Sequence, residues 1–140
     1  MKQYQIFAII SMVFAGLTAV IAKAGLKNVT GDTGLAVRTS FVFILIWLNI
    51  IVFNHSRDFT NLTTRDIFLL AVSGLTTSLS WIFYYKAIKI GNVSEVALID
   101  KASIIITLIL SFLLLNEQFT WKMVIGGLLI VCGLLVLTLK

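Results

Sequence analysis

Five runs of apolar residues, each close to 20 long, restrict the fold of this 140-residue chain more than any other feature. Wound as a helix at ~1.5 Å per residue, such a run reaches about 30 Å, the thickness of a bilayer's hydrocarbon core. Hydrocarbon offers backbone N–H and C=O groups no partner, so each run must satisfy them internally, as a helix does. The spans are expected at residues 5–24, 34–53, 66–90, 94–115 and 120–139. They leave no room for a soluble domain within residues 1–140, which read as a single five-helix unit. The expected fold class is therefore all-α, a polytopic membrane protein with five transmembrane helices. Only 12% of residues are charged, against about 25% in soluble domains, too few for a polar shell.

Other classes have little to stand on. The net charge is +5, but the eleven Lys and Arg residues sit singly at helix ends rather than in a patch. That is the usual pattern of membrane flanks and argues against nucleic acid as a partner. Cys132 is the only cysteine and His55 the only histidine, so neither a disulfide nor a metal cluster is expected. No catalytic or cofactor-binding motif is recognisable, and no enzymatic activity is expected. Lys2, the apolar run to Ala22 and Ala22-Lys23-Ala24 loosely resemble a signal peptide. The run is long for one and the lysine is misplaced, so the segment reads as a retained first span.

The connections are short. Gly31-Asp32 reads as a turn, and Asn54 to Arg65 is the most polar stretch. Thr63 or Thr64 is placed to cap the third span, with Asp66 in its first turn. Gly91-Asn92 ends that span, Asn116 to Phe119 makes a tight turn, and Thr120 caps the fifth. With no proline in the chain, no span is broken by the usual device.

An odd number of spans places the termini on opposite sides, and flanking cations normally decide which. On the N-terminal side lie Lys2, Arg57, Arg65 and Lys122. On the other lie Lys27, Lys86, Lys89 and Lys140, once Lys23, Arg38 and Lys101 are assigned to the spans. The balance admits two readings. One strong flank decides, or the chain inserts both ways and forms an antiparallel homodimer.

Charges inside hydrocarbon cost about 2.5–3.5 kcal/mol each on insertion scales and are candidate functional groups. Lys23, Arg38, Lys86, Lys89, Glu95, Asp100 and Lys101 all fall toward one end of their spans. Asp100 lies about 9 Å into the fourth span and is too short to snorkel. Arg38, Lys23 and Lys86 are its candidate partners by depth. Either an ion pair fixes helix packing there, or the group serves a solute or proton path. Lys101 projects about 100° away from Asp100, which favours separate partners. Glu95 reads as a helix-start charge, and Glu117 as a turn charge within reach of Lys122.

Ser73, Thr77 and Trp81 share one face of the third span, with Tyr84 and Tyr85 just beyond. That face suits the wall of a solute path, although hydroxyls often bond their own helix and aromatic residues often form an interfacial belt. Ser11, Ala15, Ala19 and Lys23 make a small-residue stripe on the first span that ends on a charge. Gly126, Gly127 and Gly133 give the fifth span a comparable packing face.

In order and spacing these segments are similar to a known family. The sequence Leu115-Asn116-Glu117-Gln118-Phe119-Thr120 resembles a leucine–glycine–glutamate turn, with Asn116 where glycine is usual. Gly126 to Gly133 resembles that family's final helix. Ser80-Trp81 through Gly91, Val96 through Ser103, Lys23-Ala24-Gly25-Leu26 and Arg38 match its half-size pattern. The whole chain thus resembles a half-size EamA-type member of the drug/metabolite transporter superfamily. The resemblance implies an exporter of small metabolites or xenobiotics in the plasma (inner) membrane of a bacterium or archaeon. Full-size relatives join two inverted five-helix halves, so a half-size chain implies an antiparallel homodimer working by alternating access. Asp100, Lys101, Lys23 and Arg38 would form its charged gate, with Trp81, Tyr84, Tyr85, Ser73 and Thr77 along the path. Leu98 stands where the family commonly has proline, which implies a weaker break in the fourth helix. The partners expected are the lipid bilayer, a small-molecule solute and a second copy. A small multidrug exporter of the four-helix type fits less well, because its first-span glutamate is missing here. A non-transport subunit of a larger complex is the remaining alternative.

Overall fold

A computed structural model describes residues 2–118 and 120–138. They form α1 (Gln3–Gly25), α2 (Gly31–Val52), a 3-10 helix (His55–Asn61), α3 (Thr64–Ile90), α4 (Val93–Lys101), α5 (Ser103–Leu115) and α6 (Trp121–Thr138). Among the described residues there is no strand. α1, α2, α3 and the stretch Val93–Leu115 are long and apolar enough to cross a membrane, and α6 is a shorter apolar helix. The all-α, polytopic architecture expected from the apolar runs is thus present.

The chain divides into two compact units, Met1–Ile90 and Gly91–Lys140. In the first, α2 and α3 start where a side chain can take a free N–H. Thr30 Oγ1 accepts from the Thr33 N–H at 3.2 Å, and Asp32 sits in the first turn, where a negative charge suits the helix dipole. Gly31-Asp32, expected as a turn, is therefore the opening of α2. Thr63 and Asp66 form a reciprocal cap on α3. The Thr63 N–H donates to Asp66 Oδ2 at 3.0 Å, and the Asp66 N–H to Thr63 Oγ1 at 3.3 Å. The 3-10 segment lies on α2, with Phe59 stacked on Trp47 at 5.9 Å between ring centroids.

Few side chains are buried in this unit, and they collect at one end. Ala19, Leu26, Leu35, Tyr85 and Ile88 make the core where α1 ends, α2 begins and α3 ends. Most of the remaining helix surface is apolar and uncovered, as lipid-facing surface should be. Gly31 permits the close packing at this end. A Cβ there would stand 2.9 Å from the Tyr85 carbonyl oxygen and 3.1 Å from the Lys86 nitrogen, both backbone.

In the second unit the fourth span is interrupted at Ala102, between α4 and α5. The Ala102 N–H bonds the Ile99 carbonyl at 3.0 Å, and the Ile105 N–H bonds the Ala102 carbonyl at 3.1 Å. Both are three-residue steps, so the helix tightens locally without a proline. Ala102 keeps helical angles (φ −62°, ψ −19°), and Val93–Leu115 is still one stretch of spanning length, so the break is slight, as the Leu98 position implied. Thr120 Oγ1 accepts from the Met123 N–H at 3.3 Å and caps α6, as expected. Phe119 of the expected turn and Leu139 at the expected end of the fifth span lie outside the described residues.

Asn116 ends α5 with φ 53° and ψ 32°, the left-handed conformation that glycine adopts freely and asparagine tolerates best after it. This explains why glycine suits the position and asparagine can replace it. Asn116→Gly should leave the melting temperature in detergent unchanged or raise it. Asn116→Val should destabilise by about 1–2 kcal/mol through the left-handed backbone alone.

Candidate functional site

The end of the first unit that holds its core also holds its charges. Lys23, in the last turn of α1, donates through Nζ to the Ile88 carbonyl at 2.5 Å and the Lys89 carbonyl at 3.2 Å. Lys89, in the last turn of α3, donates back to the Leu26 carbonyl at 2.6 Å and the Lys27 carbonyl at 3.1 Å. Each helix C-terminus thus receives the ammonium group of the other. The last carbonyls of a helix have no partner within it and carry its negative partial charge, so a lysine there is doubly favourable. Leu26, 2% exposed, and Ile88, fully buried, lie at the same two helix ends.

Arg38, about two turns into α2, lies over the aromatic residues of α3. Its guanidinium carbon is 4.3 Å from the Trp81 ring centroid and 5.9 Å from that of Tyr85. At the shorter distance the cation is held by the face of the ring. Tyr84 and Tyr85 are tilted neighbours at 6.3 Å. Nearer the water, Lys86 pairs with Asp32 at 3.6 Å, with both side chains more than half exposed, so the pair contributes little stability.

Beside these groups is a cavity of about 360 Å³, within the size range of small-molecule sites. Its wall comes from the C-terminal part of α1, the following connection, the first turns of α2, and Tyr85 of α3. Most of the wall is apolar. Thr18, Thr33, Arg38 and Tyr85 supply its polar side chains.

The structure thus brings together Lys23, Arg38, Trp81, Tyr84 and Tyr85 within one unit. Ser73 and Thr77 lie further along α3 and are exposed, with the Thr77 hydroxyl bonded to the Ser73 carbonyl at 2.8 Å. Asp100 and Lys101 belong to the second unit and pair with each other at 3.6 Å. The expectation of separate partners is corrected here. The flexible lysine stem spans the angle between neighbouring positions, and the helix ends at Lys101. Glu117, read as a turn charge, accepts the Ser111 hydroxyl within its own unit. Of the packing residues, Ala19 is buried, whereas Ser11 and Ala15 are exposed. A Cβ on Gly127 would meet Leu108 at 3.1 Å, while Gly126 and Gly133 face open space. Sequence reasoning missed the role of Lys89. Its signal was a lysine in the last turn of a helix, matched by Lys23 in the last turn of another.

Apolar helices of spanning length, few charges and short connections define an integral, multi-pass membrane protein. The chain belongs to the EamA-like transporter family, whose pattern it matches over residues 3–139. It is 32% identical over 136 residues to an uncharacterized transporter in cobO 3'region of Sinorhizobium sp, covering 97% of this chain and 96% of that one. It is 27% identical over 130 residues to the uncharacterized transporter YetK of Bacillus subtilis (strain 168), spanning 92% of this chain but 39% of that relative. No solved structure matches it significantly. Its 140 residues fit a half-size member of the family.

Proposed function

We propose that this transporter exports small organic solutes by alternating access, as an antiparallel pair of identical chains in a bacterial or archaeal plasma membrane. The observation that carries the reading is the solute-sized cavity walled by α1, α2 and Tyr85 at the charged end of the first unit. Arg38, Trp81, Tyr84 and Tyr85 border the solute path. Lys23 and Lys89 hold the ends of α1 and α3 together when that side is closed. The Asp100–Lys101 pair, next to the interruption at Ala102, serves as the gate of the second unit.

Two features support pairing in opposite orientations. Five spans put the two ends of this unit on opposite sides, so the unit is not itself a pair of equal inverted halves of the kind such mechanisms use. The flanking cations are balanced, four on each side, so neither orientation is favoured during insertion. Reporters of cytoplasmic and external exposure fused to the C-terminus should both be active in intact cells. A C-terminus confined to one side would rule out the antiparallel homodimer. Solute movement by the purified chain alone in liposomes tests the transport role separately.

A further inference from the structure

We propose that the cavity of the first unit selects solutes with a carboxylate or similarly compact anionic head and an apolar body, held at the head by Arg38 and Tyr85. The inference rests on the transport reading for its purpose, but the site itself is argued from geometry.

Within the unit, the only ionised side chain on the cavity wall is Arg38. Among the described residues no carboxylate forms an ion pair with it. Its Nη1 is shut off from water and makes no hydrogen bond, and the same holds for the hydroxyl of Tyr85, which is 4% exposed overall. Two donors from two helices therefore lie unused beside one cavity. Leaving a buried donor unmet is costly, most of all at a charged group. Both residues also line the cavity, so a solute whose acceptors draw the two donors round to the wall satisfies them, and a carboxylate presents two oxygens to the fork of an arginine. The trio of Arg38, Trp81 and Tyr85 already orients the guanidinium, because its flat face is occupied by Trp81 at 4.3 Å.

The surrounding charge points the same way. Lys23, Lys27, Lys86 and Lys89 belong to this end of the unit, and Asp32 is the acid that accompanies them. The carbonyls at the ends of α1 and α3, which would otherwise attract a cation, are already bonded by Lys89 and Lys23. A cationic solute finds no free acceptor of opposite charge on this wall. The remaining lining, including Ala22, Leu26, Val29 and Val37, suits an apolar body.

The test is binding to the purified full-length chain in lipid nanodiscs, read by tryptophan fluorescence, with Trp81→Phe assigning the responding ring. Two probe series separate charge from shape: benzoate, benzamide and benzamidine, and hexanoate, hexanamide and hexylamine. Each carboxylate should bind at least tenfold more tightly than its amide, and the cations should not compete. Arg38→Gln should bring carboxylate and amide within twofold of each other while leaving amide affinity unchanged. Equal affinity across both series, or no binding in either, overturns the proposal, as does a carboxylate preference that survives Arg38→Gln. Arg38-dependent binding without movement of the same probe in liposomes would count against the transport reading and leave the binding site standing.

Discussion

Gly31→Ala should destabilise the protein by about 1–3 kcal/mol, and Gly31→Val by more, with loss of transport in both. The added Cβ would stand 2.9 Å from the Tyr85 carbonyl oxygen and 3.0 Å from its carbon, and neither backbone atom can rotate away. α2 must then move off α3, and two consequences follow. The packing of Leu35, Tyr85 and Ile88 loosens, and Arg38 withdraws from the Trp81 face. Gly16→Ala provides the contrast. Nothing lies within 4 Å of a Cβ there, and alanine is the better helix former by about 1 kcal/mol. Thermal unfolding in detergent should therefore order the chains as Gly16→Ala, wild type, Gly31→Ala, Gly31→Val. A Gly31→Ala protein as stable as wild type would mean that α2 and α3 are not in backbone contact at this point.

The second large effect is expected at the paired lysines. Lys23→Met and Lys89→Met should each lower stability by about 2 kcal/mol, the range for hydrogen bonds to charged groups. Each leaves helix-end carbonyls in a partly buried site without their charged donor. The two effects should not add. Lys23 bonds the carbonyl of Lys89 itself, and Lys89 bonds carbonyls just beyond the turn that carries Lys23. Once one lysine is gone, the opposite helix end can shift and the other bond weakens. Residues so linked commonly couple by about 0.5–3 kcal/mol. The double variant should lose less than the two singles together by about 1 kcal/mol. Lys→Arg at either site should retain part of the stability. Strict additivity would show that the two lysines act independently. Where the lysines hold one side closed, weakening them should also shift transport, which liposome uptake rates would read beside the melting data.

Much of the architecture was readable because the bilayer imposes a length and an internal hydrogen-bonding rule. The apolar runs marked the spans, and Thr63 with Asp66 and Thr120 marked helix starts. These are local properties, decided within one or two turns. The Gly31-Asp32 pair was misread as a turn because glycine followed by aspartate suits both a turn and a capped helix start. The choice fell to Thr30 and to the approach of α3. The interruption at Ala102 gave no warning, because a three-residue hydrogen-bond step requires no particular side chain.

By itself the sequence determined that the chain is a membrane-spanning helical protein, and it singled out the charged residues that hydrocarbon makes expensive. It did so because chain hydropathy and charge are sums over neighbours in sequence, and the solvent reads them directly. Only the tertiary structure decided which charges meet. It placed Lys23 on the carbonyls of α3, Arg38 on an aromatic face, and Asp100 on its own neighbour. Those outcomes depend on helix rotation and on a backbone approach set by one glycine, through contacts between residues as much as 66 positions apart. No local pattern of residues encodes a rotation, so the partners of the buried charges became visible only once the helices were packed.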